Sequence, residues 1–408
     1  MSSTSPMLEP GALGALEVPN RIIRAATSES MAGPDGEVTD ELVALHEALA
    51  RGGVGVAFMG HMYCEERGRY SRTQTAIHSD ETIPGLRRIT DAVHRQGGRI
   101  FAQVAHAGSQ SPLATIEPLA PSPVANVMTG RPVAEATEAE IATTIEAFAA
   151  AAGRAAEAGF DGVHIHGANG YLISEFRSPL ANRRSDEWGG SAEARERFGV
   201  AVVRAVREAL PPSLPVTMKL GFEDQVDEPG GLEVDDAVAG AGLLVEAGLD
   251  GIEVSSNLMS NYISSSIRPY VAVDRRRALA DGLVHRIFKG PQPEAYFLPF
   301  ARALRERVET KIILVGGLRR TETMSAILED GDADFISMAR PLIREPDLVR
   351  KLEAGRTGLV ECVSCNMCQM HENVHGLRCW RKPKWRIVPH AVHRLSGRLG
   401  HMPKLEES

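Results

Sequence analysis

The sequence predicts an α/β protein in which eight parallel strands alternate with helices and close into a barrel. Eight short apolar segments rich in β-branched residues recur along the chain, and each has the length of a buried strand. Stretches with the helical spacing of Ala, Leu and Glu separate them. This alternation indicates a parallel sheet covered by helices, and the count of eight favours a (β/α)8 TIM barrel over an open sheet.

The predicted elements follow one another in a regular order. The expected strands span residues 21–27, 54–60, 100–106, 162–166, 215–220, 251–255, 311–316 and 335–339. The clearest helical segments span 39–51, 84–96, 138–158, 192–209, 234–247 and 298–308. Two connections, 113–132 and 256–293, are unusually long and are candidate lids, substrate walls or oligomer contacts. We therefore expect a barrel at 1–355 and a short cysteine-containing extension at 356–408.

The composition limits the class of partner. A net charge of -8 over 408 residues argues against nucleic acid as the main partner. No apolar run reaches the length of a membrane span, and the N-terminus lacks a basic region followed by an apolar one. These features predict a cytoplasmic protein that acts on a small molecule, away from membranes.

Polar residues collect at the predicted carboxyl ends of the strands, which is where barrels of this kind place their active sites. His166, Asn169 and Tyr171 follow the fourth strand, and Gly167 and Gly170 permit a sharp turn there. Each of the three polar residues has an ordinary structural interpretation when taken alone. Their grouping favours an active site. The ends of other predicted strands would add further residues to the same rim, namely Gln103, His106, Lys219, Gly316, Gly317, Ala339 and Arg340.

The last two strands indicate a phosphate site. Glycines at 316 and 317 free backbone amides for close approach, and Arg340 adds charge-assisted hydrogen bonds. The alternative is a tight turn and a surface arginine. Phosphate sites after strands seven and eight recur in such barrels, so we favour binding.

The segment after the fourth strand resembles the signature of the Old Yellow Enzyme family of flavin oxidoreductases, and the resemblance covers roughly residues 7–355. The matching residues are His166, Asn169, Gly170, Tyr171, Leu172, Phe176, Pro179, Asn182, Arg184, Asp186, Trp188, Gly189, Gly190, Ser191, Glu193, Arg195, Arg197 and Phe198. The resemblance implies a barrel that holds FMN at its carboxyl rim. It also implies that His166 and Asn169 bind the carbonyl oxygen of an activated alkene while Tyr171 donates a proton.

The same resemblance implies a set of flavin contacts. Lys219 stands where many members have an arginine, and a cation there would stabilise negative charge on the reduced flavin. Ser28 stands where relatives place Thr or Cys, which points to a different flavin potential. The implied cofactor-binding residues are Ala25, Ala26, Thr27, Gln103, Lys219, Gly316, Gly317, Ala339 and Arg340.

Four of the five cysteines, Cys362, Cys365, Cys368 and Cys379, form a second motif. Closely spaced thiolates suit an iron–sulfur centre or zinc, and do not suit a secretory disulfide framework. The motif resembles the 4Fe-4S site of the subgroup that contains trimethylamine dehydrogenase and 2,4-dienoyl-CoA reductase. Those relatives continue into FAD- and nucleotide-binding domains, whereas 29 residues with a basic character follow Cys379. The resemblance implies a 4Fe-4S centre, with zinc as the alternative. Without an attached FAD domain, we expect this centre either to exchange electrons with a partner protein or to have a structural role.

Three functions follow from these observations. The leading hypothesis is an FMN-dependent ene reductase that uses NAD(P)H to reduce the C=C bond of an α,β-unsaturated carbonyl compound. The alternative within flavin chemistry is an amine or carbon–nitrogen dehydrogenase that passes electrons to the iron–sulfur centre. From a different class, a non-redox barrel lyase or isomerase would use the phosphate site for its substrate. The sequence leaves open whether the chain forms a homo-oligomer.

Overall fold

The computed structural model describes residues 5–126, 129–226, 228–258, 294–364, 366, 368–372 and 375–381. The predicted long connection at 256–293 and the basic tail lie largely outside the described residues, as does Cys365. The barrel strands are β1 Ile22–Arg24, β2 Val56–Phe58, β3 Ile100–Ala105, β4 Gly162–Gly167, β5 Val216–Gly221, β6 Gly251–Ser255, β7 Lys311–Leu314 and β8 Phe335–Met338.

These eight strands form a closed parallel barrel. Each strand pairs with the next, and β8 pairs with β1 to close the ring. The register aligns His166 of β4 with Lys219 of β5, and Lys219 with Glu253 of β6. The predicted eight-stranded α/β barrel is therefore confirmed, and its register brings polar residues of neighbouring strands into one row.

Helices cover the outside of the barrel and begin where the sequence provides caps. The side chains of Thr39, Thr137 and Ser191 each accept a hydrogen bond from the first turn of the helix that follows, which satisfies otherwise unpaired amides. In the described chain every helix is too short or too polar to cross a bilayer. The helices are α1 Asp40–Arg51, α2 Ile83–Arg95, α3 Glu138–Glu157, α4 Leu172–Arg177, α5 Ala192–Ala209, α6 Val234–Glu246, α7 Leu298–Arg307, α8 Thr321–Glu329, α9 Arg340–Arg344 and α10 Leu348–Glu353.

The interior of the barrel is apolar at its amino end. A hairpin of Gly11–Leu13 and Leu16–Val18 closes this end, and it contributes two of the apolar side chains packed there. Phe58 and Phe101 are fully buried with ring centroids 5.4 Å apart, and burial of such a side chain stabilises the fold by about 1.5–3 kcal/mol. Because the described residues fill this end, the carboxyl end of the strands is the end at which they leave room for a ligand.

The segment that follows α10 packs against that carboxyl end. The backbone N–H of Leu377 donates to the carbonyl of Glu29 at 2.9 Å, and Arg340 donates to the side-chain oxygen of Asn366 at 2.5 Å. Trp380 is buried and stacks on His371 with ring centroids 3.9 Å apart. The described part of the extension is therefore in contact with the barrel rim.

Candidate active site

A single continuous cavity lies at the carboxyl ends of the strands, and it collects the residues that the sequence analysis assigned to cofactor binding and catalysis. His106 is the exception among the polar strand ends, since its Nε2 lies 2.9 Å from Glu65 Oε1 and its ring is absent from the cavity. The lining residues predicted from the sequence are Ala25, Ala26, Thr27, Gln103, His166, Asn169, Tyr171, Lys219, Gly316, Gly317, Ala339 and Arg340.

The turn after β4 positions the three candidate catalytic residues. Asn169 and Gly170 have positive φ values of 59° and 76°, so the chain reverses within a few residues. A Cβ on Gly170 would lie 2.1 Å from the Gln110 side-chain nitrogen, which explains why glycine is needed. The ring centroids of His166 and Tyr171 are consequently 4.4 Å apart at one end of the cavity.

The hydrogen bonds around Asn169 orient its amide. The Ser255 hydroxyl donates to Asn169 Oδ1 at 3.2 Å, so the oxygen is engaged and the amide nitrogen is the group left to donate elsewhere. Burial lowers the pKa of His166 well below its ordinary value, and the neighbouring His61 and Lys219 lower it further. His166 is therefore neutral at physiological pH, and with Asn169 it can supply two uncharged donors to one ligand oxygen.

Several buried polar atoms in the cavity lack a hydrogen-bond partner among the residues that the structure describes. They are Gln103 Nε2, Thr27 Oγ1 and His166 Nδ1. A buried polar group without a partner costs about 1–3 kcal/mol, so these atoms require a polar ligand. The edge of a flavin ring system carries suitable donors and acceptors. The Lys219 ammonium group, which also lines the cavity, would stabilise negative charge on the reduced flavin.

The far side of the cavity fits the phosphate of FMN. Gly316 and Gly317 have φ values of 114° and 74°, and a Cβ on Gly316 would lie 2.9 Å from both Tyr296 and Phe297. These glycines leave backbone amides accessible beside Arg340. The residues present therefore fit FMN, which would supply redox chemistry when bound there.

The cavity also contains residues that the sequence analysis did not select. His61 follows β2 and lines the end of the cavity that holds Tyr171. Glu372, from the extension, lines the cavity as well, and burial raises its pKa to about 7 despite a hydrogen bond with Ser28. A signal for His61 was available, because it follows a predicted strand end. The extension offered no such signal, since its contact with the rim depends on tertiary packing.

The cysteines of the predicted cluster are only partly described. Cys362, Cys368 and Cys379 line one small cavity beside Arg344, and Arg344 Nη1 lies 3.8 Å from Cys379 Sγ. Cys365 lies outside the described residues. Among the residues that are described, no three Cys, His, Asp or Glu side chains are grouped closely enough to hold a metal ion. The metal site thus remains a prediction.

Comparison with known proteins identifies the family of the chain. The profile of the NADH:flavin oxidoreductase / NADH oxidase family matches residues 6–358. The chain is 35% identical to 4,4'-dithiodibutanoate disulfide reductase of Rhodococcus erythropolis, covering 92% of this chain and 95% of that one. It is 34% identical to an NADPH dehydrogenase of a Geobacillus species, covering 83% and 91%.

Comparison with solved structures supports the same family assignment. An Old Yellow Enzyme homologue from Zymomonas mobilis superposes with a TM-score of 0.69 at 26% identity, covering 88% of this chain and 95% of that one. The chain spans only 50% and 55% of two longer relatives that it matches. Because the family profile covers most of the chain, the protein belongs to the NADH:flavin oxidoreductase / NADH oxidase family and is an FMN-dependent NAD(P)H oxidoreductase of the Old Yellow Enzyme type.

Proposed function

We propose that the enzyme reduces the C=C bond of an α,β-unsaturated carbonyl compound with electrons from NAD(P)H. The observation that carries this proposal is the convergence of His166, Asn169 and Tyr171 at one end of the cavity. Family membership removes the non-redox lyase or isomerase alternative. A cytoplasmic location and the domain boundary at residue 355 remain predictions from the sequence.

The three residues divide the chemistry between them. The neutral His166 ring and the Asn169 amide donate to the carbonyl oxygen of the substrate, where negative charge develops during reduction. FMN, when bound, supplies hydride to the β-carbon. Tyr171 then gives its hydroxyl proton to the α-carbon, as a general acid.

The experiment is anaerobic stopped-flow kinetics with the flavin-loaded enzyme. NAD(P)H is expected to bleach the flavin, and 2-cyclohexen-1-one is expected to reoxidise it with formation of cyclohexanone. Bleaching by an amine, without turnover of any enone in a panel, would overturn the proposal in favour of a carbon–nitrogen dehydrogenase. Comparing NADH with NADPH in the same experiment identifies the reductant.

A second candidate function is reduction of a disulfide bond. It is favoured by the relative from Rhodococcus erythropolis, a 4,4'-dithiodibutanoate disulfide reductase that this chain matches over nearly the full length of both proteins. In that reaction two electrons and two protons convert one disulfide into two thiols. Side-by-side turnover of 4,4'-dithiodibutanoate and an enone would decide which substrate has the higher kcat/KM.

We also propose that Cys362, Cys365, Cys368 and Cys379 hold a 4Fe-4S centre, with zinc as the alternative. The support is the thiolate donor set and the small cavity shared by the three described cysteines. Such a centre would connect the flavin to an electron-transfer partner, or would serve only to fold the extension. Anaerobic purification followed by iron, sulfide and zinc analysis tests this. A protein containing none of these elements would contradict it.

A further inference from the structure

His61 lies among the aromatic residues at the substrate end of the cavity. Its ring centroid is 5.5 Å from that of Tyr171, 6.3 Å from His166 and 6.0 Å from Tyr70. It reaches this place because only two residues separate it from the end of β2, so that it lies on the same rim as the turn after β4. The ring has no role in the mechanism given above.

The side chain of Gln74 determines which ring nitrogen of His61 carries the proton. Gln74 is buried, and its Oε1 accepts the backbone N–H of Tyr70 at 2.6 Å, which fixes the orientation of the amide. Gln74 Nε2 lies 2.7 Å from His61 Nδ1 and donates to the His61 carbonyl at 3.2 Å. Because an amide nitrogen can only donate, Nδ1 must be the acceptor in this contact.

A neutral His61 therefore carries its proton on Nε2. Neutrality follows from burial, which lowers the pKa of His61 to about 4 in spite of the nearby Glu29 carboxylate. His61 Nε2 lies 3.5 Å from the Tyr171 hydroxyl oxygen. A bond of this length is long, but hydrogen bonds of catalytic groups often tighten when substrate binds.

We infer that His61 is a positioning residue for Tyr171, donating from Nε2 to the phenol oxygen so that the hydroxyl hydrogen points toward the substrate. This inference rests on the proposed function, in which Tyr171 is the proton donor. In that step the O–H bond of Tyr171 breaks and a C–H bond forms at the α-carbon. The phenolate that remains accepts a hydrogen bond from His61 Nε2 until a proton from water restores the hydroxyl.

The alternative is that His61 is only an aromatic wall of the cavity. The two interpretations differ in what His61→Phe and Gln74→Glu do. His61→Phe preserves an aromatic ring and removes the donor. Gln74→Glu preserves the side-chain shape but places a carboxylate beside Nδ1, which draws the ring proton to that nitrogen and removes it from Nε2. If His61 only forms a wall of the cavity, both variants should keep the wild-type rate of enone reduction. If His61 donates to Tyr171, both variants should reduce that rate.

The first measurement is made without substrate, on the wild type and on the two variants. Nitrogen NMR of protein labelled at histidine is expected to show His61 with a protonated Nε2 and an unprotonated Nδ1, and Gln74→Glu is expected to change this pattern. A wild-type ring protonated on Nδ1 would overturn the inference. Ultraviolet titration is expected to show a higher Tyr171 pKa in His61→Phe, since the phenolate loses a donor, and an unchanged value would also overturn it.

The second measurement separates the two half-reactions of the flavin-loaded enzyme. In both variants the rate of enone reduction is expected to fall about ten- to a hundredfold, the scale of a misplaced catalytic group, while flavin bleaching by NAD(P)H keeps its wild-type rate. The matched control is His94→Phe, whose ring lies at the surface beside Asp161. Unchanged enone rates in both variants would overturn the inference.

Failure of the proposed function has a different signature. It would appear as an enone rate that Tyr171→Phe does not alter. The NMR tautomer and the Tyr171 titration would in that case still decide whether His61 donates to Tyr171.

Discussion

Lys219 Nζ lies 2.5 Å from Glu253 Oε2, and both side chains are buried where β5 and β6 lie side by side. The second oxygen of Glu253 accepts the Ser337 hydroxyl at 2.6 Å. Burial alone would raise the pKa of Glu253, but Lys219 and His164 outweigh burial and hold this pKa below its ordinary value. A fixed positive charge is thereby held beside the predicted flavin site by a carboxylate from the next strand.

Glu253→Leu is expected to lower the free energy of unfolding by about 3–5 kcal/mol, because it leaves a buried ammonium group without its partner. The double variant Lys219→Met/Glu253→Leu is expected to recover most of that loss, since no charge then remains unpaired. Urea unfolding in saturating FMN measures both. The control is Asp332→Ala in the exposed pair with Arg302, where the loss should be much smaller. Equal losses in the single and double variants would contradict the pairing.

The order and nature of the barrel elements were predictable because burial on both faces leaves a direct signal in the sequence. Val56, Phe58 and their neighbours are apolar in an unbroken run, as expected of a parallel strand covered by helices. Because the strands are parallel, their carboxyl ends lie at one rim, so the position of the cavity could also be predicted. The strand predicted at 251–255 has the observed bounds, whereas the other strands differ from prediction by one to three residues at one or both ends. Turn residues such as Gly60 and Gly316 extend the apolar pattern without pairing, which explains why the strands that precede them are shorter than predicted.

The parts of the site that depend on tertiary contacts were not predictable. Glu253 is a single acidic residue in an apolar strand, and only the barrel register shows that it faces Lys219. His61 directly follows the predicted strand 54–60, which is a signal for the rim, but only the structure shows that its ring lines the cavity beside Tyr171. Glu372 lies in a segment without helical or strand periodicity, and it reaches Ser28 because the extension packs on the rim.

Tyr171→Phe is expected to slow enone reduction by about 10²–10⁴-fold, the usual contribution of a general acid. The rate of flavin reduction by NAD(P)H should remain unchanged, because the phenol is needed only for protonation of the substrate carbon. Anaerobic stopped-flow measurement of the two half-reactions distinguishes these effects. Equal slowing of both half-reactions would indicate that the variant disturbs flavin binding instead.

Arg340→Gln is expected to weaken FMN binding about 10- to 100-fold, because a charge-assisted hydrogen bond contributes about 1.5–3 kcal/mol. Riboflavin lacks the phosphate, so its affinity should be the same in the variant and the wild type. Fluorescence titration of both flavins measures the difference. Arg302→Gln at an exposed surface pair is the matched control. Parallel losses for FMN and riboflavin would mean that Arg340 contributes only through its contact with Asn366.

Glu175 is buried beside the turn that follows β3, where it accepts hydrogen bonds from the backbone and hydroxyl of Ser109. Burial raises the pKa of Glu175 from 4.5 to about 8, more than the bonds from Ser109 lower it. Between these two values the unfolded chain has released the proton while the folded chain retains it. The contribution of Glu175 to stability therefore falls as pH rises through this window.

Glu175→Gln removes this titration while it retains an oxygen that can accept from Ser109. Its free energy of unfolding, relative to the wild type, is expected to rise steadily between pH 5 and pH 8, as measured by urea unfolding at each pH. Glu157→Gln changes an exposed carboxylate on α3 and serves as the control. A Glu175→Gln curve that runs parallel to the wild type across this range would show that Glu175 is already ionised in the folded protein. Its hydrogen bonds with Ser109 would then outweigh the cost of burying the charge.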